Sequence, residues 1–419
     1  MSTNKQTEQK SSKGIILASA IAIALAGGTI YGNHVFTKKY EGVRDGFIKD
    51  FSSNGDLSIK LVNAEKGFFS VTDTFELSMK GHTDKLYLKN AVKIRPVEIP
   101  GKITLDFNEI SESTVEEMPQ LKDISLNWVA KVDGKFKFEL NFPDMQKSEH
   151  YIGSYGRKIQ SQFRIKGVSL SGEFDKDQMS AVYQIENLNI KDGDKTFDIS
   201  KFGGTETYKW KNGWITEAKT DFSADRIMLN ENKEFIDFGK LTATSDLTMT
   251  DSMSIHQKIK LDGVTGMFNG IKLKESDYTL DWELNDVYMK DIIDASEKSD
   301  DISRNMSGEL LSSMFKKGIT FKINELKSDW FDIDLDVKFK SFSEEPRTLH
   351  EFLEKVTAEL NVSVDKAMTA KLGIPPFMIQ DHIDQGVISD NGKNIETHAE
   401  VKEGTLTING NEILLPKNM

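Results

Sequence analysis

Eighteen consecutive residues without a charge, Gly14 to Tyr31 (GIILASAIAIALAGGTIY), constrain this chain more than any other stretch. At roughly 1.5 Å of rise per residue such a run reaches about 27 Å as a helix, slightly less than a hydrocarbon core of about 30 Å. Gly32 to Phe36 carry no fixed charge and complete the span. Residues 14–36 are therefore read as a transmembrane signal-anchor, 1–13 as a leader and 37–419 as one exported body. Lys5, Lys10 and Lys13 precede the run against Glu8 alone, whereas Lys38, Lys39 and Arg44 behind it are interleaved with Glu41 and Asp45. That bias puts the leader in the cytoplasm. Two other readings compete. Ala24-Leu25-Ala26 before Gly27 has the small-x-small form of a signal-peptidase site, which makes the segment a cleaved signal. A buried helix of a soluble domain would have to be apolar all round directly behind a polar leader.

The body that follows is acidic and strand-patterned. A formal net charge of −12 argues against nucleic acid and against polybasic capture of lipid headgroups, since both need clustered Lys and Arg. Cysteine is absent, which removes disulfides, thiolate metal sites and cysteine nucleophiles. Burial and sheet pairing alone must hold the body together. Eight prolines and no low-complexity stretch beyond the leader leave no flexible linker.

Two-residue periodicity dominates. Tyr40 to Phe51 places Val43, Phe47 and Phe51 on one helical face and reads as a short stalk. Leu57 to Met79 is a pair of alternating runs around Glu65-Lys66-Gly67, a β-hairpin. Alternation continues from Leu86 through Ile103-Leu105-Phe107 and Phe136-Phe138-Leu140-Phe142, with Glu109–Gln120 and Met145–Gln160 read as helix or loop. In Phe331 to Lys340 (FDIDLDVKFK) the apolar residues fall on one face and the charged ones on the other, a strand with a dry side and a wet side. Tyr278-Leu280-Trp282-Leu284 and Ile319-Phe321-Ile323 repeat the pattern.

A coarser period lies in the middle of the chain. Glu186–Lys191, the turn Asp192-Gly193 and Phe197–Phe202 return 39 residues later as Asp225–Asn230 and Ile236–Leu241. A weaker third copy runs from Asp262 to Leu273. Each copy is a strand, a tight turn and a return strand. Asp291–Gly318 breaks the β pattern and predicts one or two helices stopped by Gly318; Leu349–Leu353 and Phe377–Gly386 predict two more. The expected fold is mainly β: an elongated, curved antiparallel meander of repeated hairpins with a few inserted helices, behind one N-terminal transmembrane helix.

Glu65-Lys66-Gly67-Phe68-Phe69-Ser70, close behind a signal-anchor, resembles the opening motif of the YdgA-like family of single-pass bacterial envelope proteins of unknown function, related in overall design to the AsmA-like envelope proteins. Glu403-Gly404-Thr405-Leu406-Thr407-Ile408-Asn409-Gly410 is similar to the closing strand and turn of the same family. With the repeat style between them, the resemblance touches most of the exported chain. It implies a bacterial inner-membrane protein, single-pass, with the bulk of the chain in the periplasm, and a lipid or another envelope component as partner.

Sites for chemistry are sparse. The histidines at 34, 82, 150, 256, 350, 382 and 398 are scattered without metal-ligand spacing, and no metal or cofactor is expected. His382, beside Asp381 and Asp384, reads as a solvated side chain. Asp332, Asp334 and Asp336 alternate in a strand and so spread along one face at about 7 Å intervals instead of converging on an ion. No Walker loop, dinucleotide fingerprint or G-x-S-x-G elbow occurs. No catalytic residue is nominated, and paired carboxylates are the one enzymatic arrangement that so many acids leave open. The aromatic strands carry the functional expectation instead. If the sheet curls, dry faces bearing Phe136, Phe138, Trp282, Phe321, Phe331, Leu335 and Phe339 line an apolar trough able to hold an acyl chain. The competing readings are a filled core built from the same residues, and a scaffold that binds protein partners through its sheet edges.

Overall fold

The computed structural model describes residues 44–45, 48, 57–66, 70–79, 85–93, 98–106, 118–131, 133–152, 158–211, 214–232, 234–268, 271–296, 313–341, 349–371 and 374–413. The leader, the 14–36 segment, Phe107 and Leu310-Leu311 lie outside these residues, as does the stalk apart from Arg44, Asp45 and Ile48, which are helical. Among the described residues, no helix is long and apolar enough to cross a membrane. The chain divides into two compact units, residues 1–213 and 214–419. Every strand pairing described in either is antiparallel.

Unit 1 holds eleven described strands, β1 (Leu57–Lys66), β2 (Ser70–Met79), β3 (Lys85–Lys93), β4 (Glu98–Leu105), β5 (Ser125–Lys131), β6 (Phe136–Asn141), β7 (Met145–Ile152), β8 (Lys158–Lys166), β9 (Ser169–Phe174), β10 (Gln178–Asp192) and β11 (Lys195–Lys211). Strands β1 to β6 pair in sequence as a meander. Strand β6 then pairs with β9, and the 15-residue β10 pairs with β9 along its first half and with β8 along its second. The expected β1–β2 hairpin is present, with Lys66 opposite Val71.

Alternation separates a buried from a more exposed side most clearly in β2, β3, β5 and β6; β6 reads buried, exposed, buried, exposed along its whole length. The buried sides build one core in which Phe136 stacks on Phe174 and on Trp128, with ring centroids 4.5 and 5.5 Å apart. Two glycines make room for it. Gly101 pairs with Trp128 and Gly172 with Phe138 across neighbouring strands, and a methyl group on Gly172 would lie 2.6 Å from the Phe138 ring. A Cβ on Gly101 would overlap the Trp128 indole. Where the backbone must pass this close to an aromatic face, only glycine fits.

Of Met145–Gln160, expected as helix or loop, the described residues 145–152 and 158–160 are instead β7 and the start of β8, paired from Met145↔Ile165 to Ile152↔Lys158. The reason is composition. MQKSEHYI carries only Met145 as a buried apolar residue, so the strand has almost no dry face to betray its period.

Unit 2 holds β12 (Trp214–Ala224), β13 (Arg226–Glu231), β14 (Glu234–Asp237), β15 (Lys240–Met249), β16 (Ser252–Phe268), β17 (Ile271–Tyr288), α1 (Lys290–Ser296), β18 (Ile319–Ser328), β19 (Phe331–Phe339), α2 (Leu349–Lys355), β20 (Val356–Asp365), α3 (Lys366–Lys371), α4 (Pro376–Asp384), β21 (Ser389–Asp390), β22 (Asn394–Lys402), β23 (Thr405–Ile408) and β24 (Asn411–Ile413). A ladder runs β12–β15–β16–β17–β18–β19–β20–β22–β23–β24. Helices α2 and α4 occupy the expected places, while α3 has no counterpart in the sequence reading. Gly318 adopts the left-handed φ of +82° that ends a helical turn.

The 39-residue repeat is structural down to its register. Asn189↔Asp198, Ile190↔Phe197, Lys191↔Thr196 and Asp192↔Lys195 in the β10–β11 hairpin become Met228↔Asp237, Leu229↔Ile236, Asn230↔Phe235 and Glu231↔Glu234 in β13–β14. The third copy is the β16–β17 hairpin, closed by Phe268↔Ile271. At the end of the chain, Asn409 and Gly410 both have positive φ, 49° and 80°, the type I′ geometry of a two-residue turn.

Candidate apolar binding face

The seven candidate trough residues fall into two groups. Phe136 and Phe138, 5% and 6% exposed, belong to the closed core of unit 1. Trp282, Phe321, Phe331, Leu335 and Phe339 lie in unit 2, and there the register brings all five to one side of the ladder.

Two cross-strand rows define that side. One runs Gln257, Trp282, Ile323, Leu335, Leu360, Ala399 and Ile408; the next runs Ile255, Leu284, Phe321, Val337, Ala358, Val401 and Leu406. Trp282 and Phe321 are in ring contact at 6.1 Å, on neighbouring strands. The face differs from the unit 1 core in one respect. None of Trp282, Phe321, Ile323, Leu335 or Leu360 is buried; each stays half-buried in the middle of the sheet. At one margin the face is closed. Phe315 packs edge-on against Phe339 at 5.7 Å, and Val287, Ile319 and Val356 are buried there. Toward the other, Ile395, paired with Val364, is buried again.

The opposite side is polar and densely paired. Asp281 accepts hydrogen bonds from Lys258 Nζ at 2.6 Å, His256 Nε2 at 2.9 Å and Asn324 Nδ2 at 3.2 Å. Burial alone would raise this carboxyl, but the three donors outweigh it and hold Asp281 at about 2. A bulge places the third donor: Asp281 pairs with Glu325 and Trp282 with Ile323, so Asn324 is the extra residue. Nothing in the linear pattern announces this cluster, because it joins residues 23 and 43 apart through a register that composition does not specify.

Asp332, Asp334 and Asp336 spread along β19 as expected: Asp332 meets Lys327 at 2.8 Å, Asp336 meets Lys338 at 3.3 Å, and Asp334 is exposed. A shallow hollow beside them is lined by Lys322, Ile323, Asn324, Asp334, Leu335, Asp336, Glu359 and Asn361. Among the described residues no group of three or more His, Asp or Glu is arranged to hold a metal ion. His382 is exposed on α4. Chemically, this unit presents a half-covered hydrocarbon surface on one side and a polar, ion-paired surface on the other, where Asp336 Oδ1 is buried without a hydrogen-bond partner. Searches against protein-family models, curated proteins and solved structures return no match for this chain.

Proposed function

We propose that this chain is a non-enzymatic, single-pass protein of the bacterial inner membrane, anchored through residues 14–36, whose periplasmic body binds an acyl chain or another apolar envelope component. The binding face is the half-buried one of unit 2, centred on Trp282, Phe321 and Leu335. One observation carries the reading: the central apolar residues of β16 to β20 keep solvent contact, whereas Trp128, Phe136, Phe138 and Leu140 in the unit 1 core are each 6% exposed or less. Burying such a surface is worth about 25 cal/mol for each Å² removed from water, so a hydrocarbon ligand has a favourable place to lie. Ligand sites of this kind are concave and mostly apolar, with few polar groups. The resemblance of Glu65–Ser70 and Glu403–Gly410 to the YdgA-like family supports the envelope setting.

The test is native mass spectrometry with lipid extraction on residues 37–419 purified from the periplasm. A phospholipid or other acyl ligand that copurifies stoichiometrically, and is lost in Leu335→Asp while the β circular-dichroism signal is retained, supports the proposal. A ligand-free mass for the wild-type body refutes it and favours crosslinking for a protein partner at the sheet edges.

A further inference from the structure

Arg44 Nη1 donates to Asp73 Oδ1 at 2.9 Å, and both residues are buried, 8% and 0% exposed. Asp73 sits on β2 between Val71 and Phe75, in register with the core side of that strand. A carboxylate there is tolerable only with a cation against it. The cation comes from the segment just beyond the uncharged run, and Ile48, one helical turn further on, packs against the same core. The chain is thus pinned to unit 1 at Arg44, eight residues after Phe36.

Eight residues span at most about 29 Å fully extended and about 12 Å as a helix. Were Arg44 not pinned, the next contact with unit 1 would be Ile48, and the 12 residues from Phe36 would allow about 43 Å. We propose that the Arg44–Asp73 pair is a latch holding the β1–β3 region of unit 1 against the surface of the lipid bilayer. The pair shortens the longest reach available between Phe36 and unit 1, so unit 1 stays within about 29 Å of the end of the anchor. This rests on the anchor reading of residues 14–36, and it goes beyond the proposed ligand face, which lies in the other unit.

The absence of cysteine allows a clean test. The full chain carrying Lys60→Cys, an exposed position on β1, is labelled with a donor dye and reconstituted in phosphatidylethanolamine/phosphatidylglycerol nanodiscs containing acceptor lipid. Arg44→Met combined with Asp73→Leu removes both charges without leaving either orphaned. The latch predicts at least a twofold fall in energy transfer and a broader lifetime distribution in this variant, with an unchanged urea transition. A folded variant with wild-type transfer overturns the proposal. A second variant leaves the pair intact: a twelve-residue Gly/Ser insertion after Thr37 lowers transfer about twofold if eight residues set the height, and an unchanged signal refutes the latch independently. Failure of the wild-type chain to float with vesicles in carbonate would instead overturn the anchor reading, and the latch with it.

Discussion

Replacing Asp281 with asparagine is expected to flatten the acid side of unit 2's stability profile. The carboxyl titrates at about 2 in the folded chain against an ordinary 3.8. At roughly 1.4 kcal/mol for each pKa unit, that difference is worth about 2 kcal/mol. The sign follows from the depression. The contribution is fully present above the unfolded value near 3.8 and is lost as pH falls through the folded value near 2. The substituted amide keeps the shape but cannot ionise, so Lys258 and His256 lose their anion at every pH. The measurement is urea unfolding from about pH 6 to about pH 2, read by pulsed hydrogen exchange on peptides from β16 to β18, which separates unit 2 from unit 1. Wild type should exceed Asp281→Asn by about 2 kcal/mol at neutral pH and by almost nothing at the acid end. A gap that stays constant across the range would refute the argument, because it would mean that Asp281 contributes through packing rather than through its charge.

Three further outcomes follow from how each unit is packed. Phe136→Ala should cost unit 1 about 3–5 kcal/mol in chemical denaturation, as for a ring fully enclosed by other rings. Trp282→Ala should cost unit 2 clearly less, under about 2 kcal/mol, because its ring already meets solvent; equal losses would show that the two faces are equally closed. Gly101→Ala should destabilise unit 1 by about 1–3 kcal/mol, since its methyl group would occupy the position of the Trp128 indole. An unchanged unfolding midpoint would contradict the close approach.

Where alternation was strong, the fold was legible. FDIDLDVKFK declares its two faces residue by residue, and the 39-residue echo between Glu186 and Leu241 carries over into the hydrogen-bond register. Where a strand lacks apolar residues, as in Met145–Ile152, period and type disappear together, and only its pairing with β8 defines it. The candidate face was half legible. Sequence places Trp282 and Leu335 on dry sides, but it does not say that Phe136 and Phe138 are sealed in another unit. The register that gathers Lys258, Asp281 and Asn324 is equally invisible, because it depends on a bulge. Asp73 did leave a signal. In Val71-Thr72-Asp73-Thr74-Phe75-Glu76-Leu77 an acid occupies an apolar beat, and such a residue requires a buried cation from elsewhere in the chain.

The split pairing of β10 bears on how such a chain can lengthen. Because β6 already lies beside β9, with Asn141 opposite Ser169, the β7–β8 hairpin between them is an excursion that the ladder does not need for its own continuity. The long β10 simply extends past β9 to give that excursion a second edge. Evolution can therefore edit a sheet of this kind like a text with parentheses. A hairpin inserted at one loop widens one side while leaving the neighbouring sentence intact.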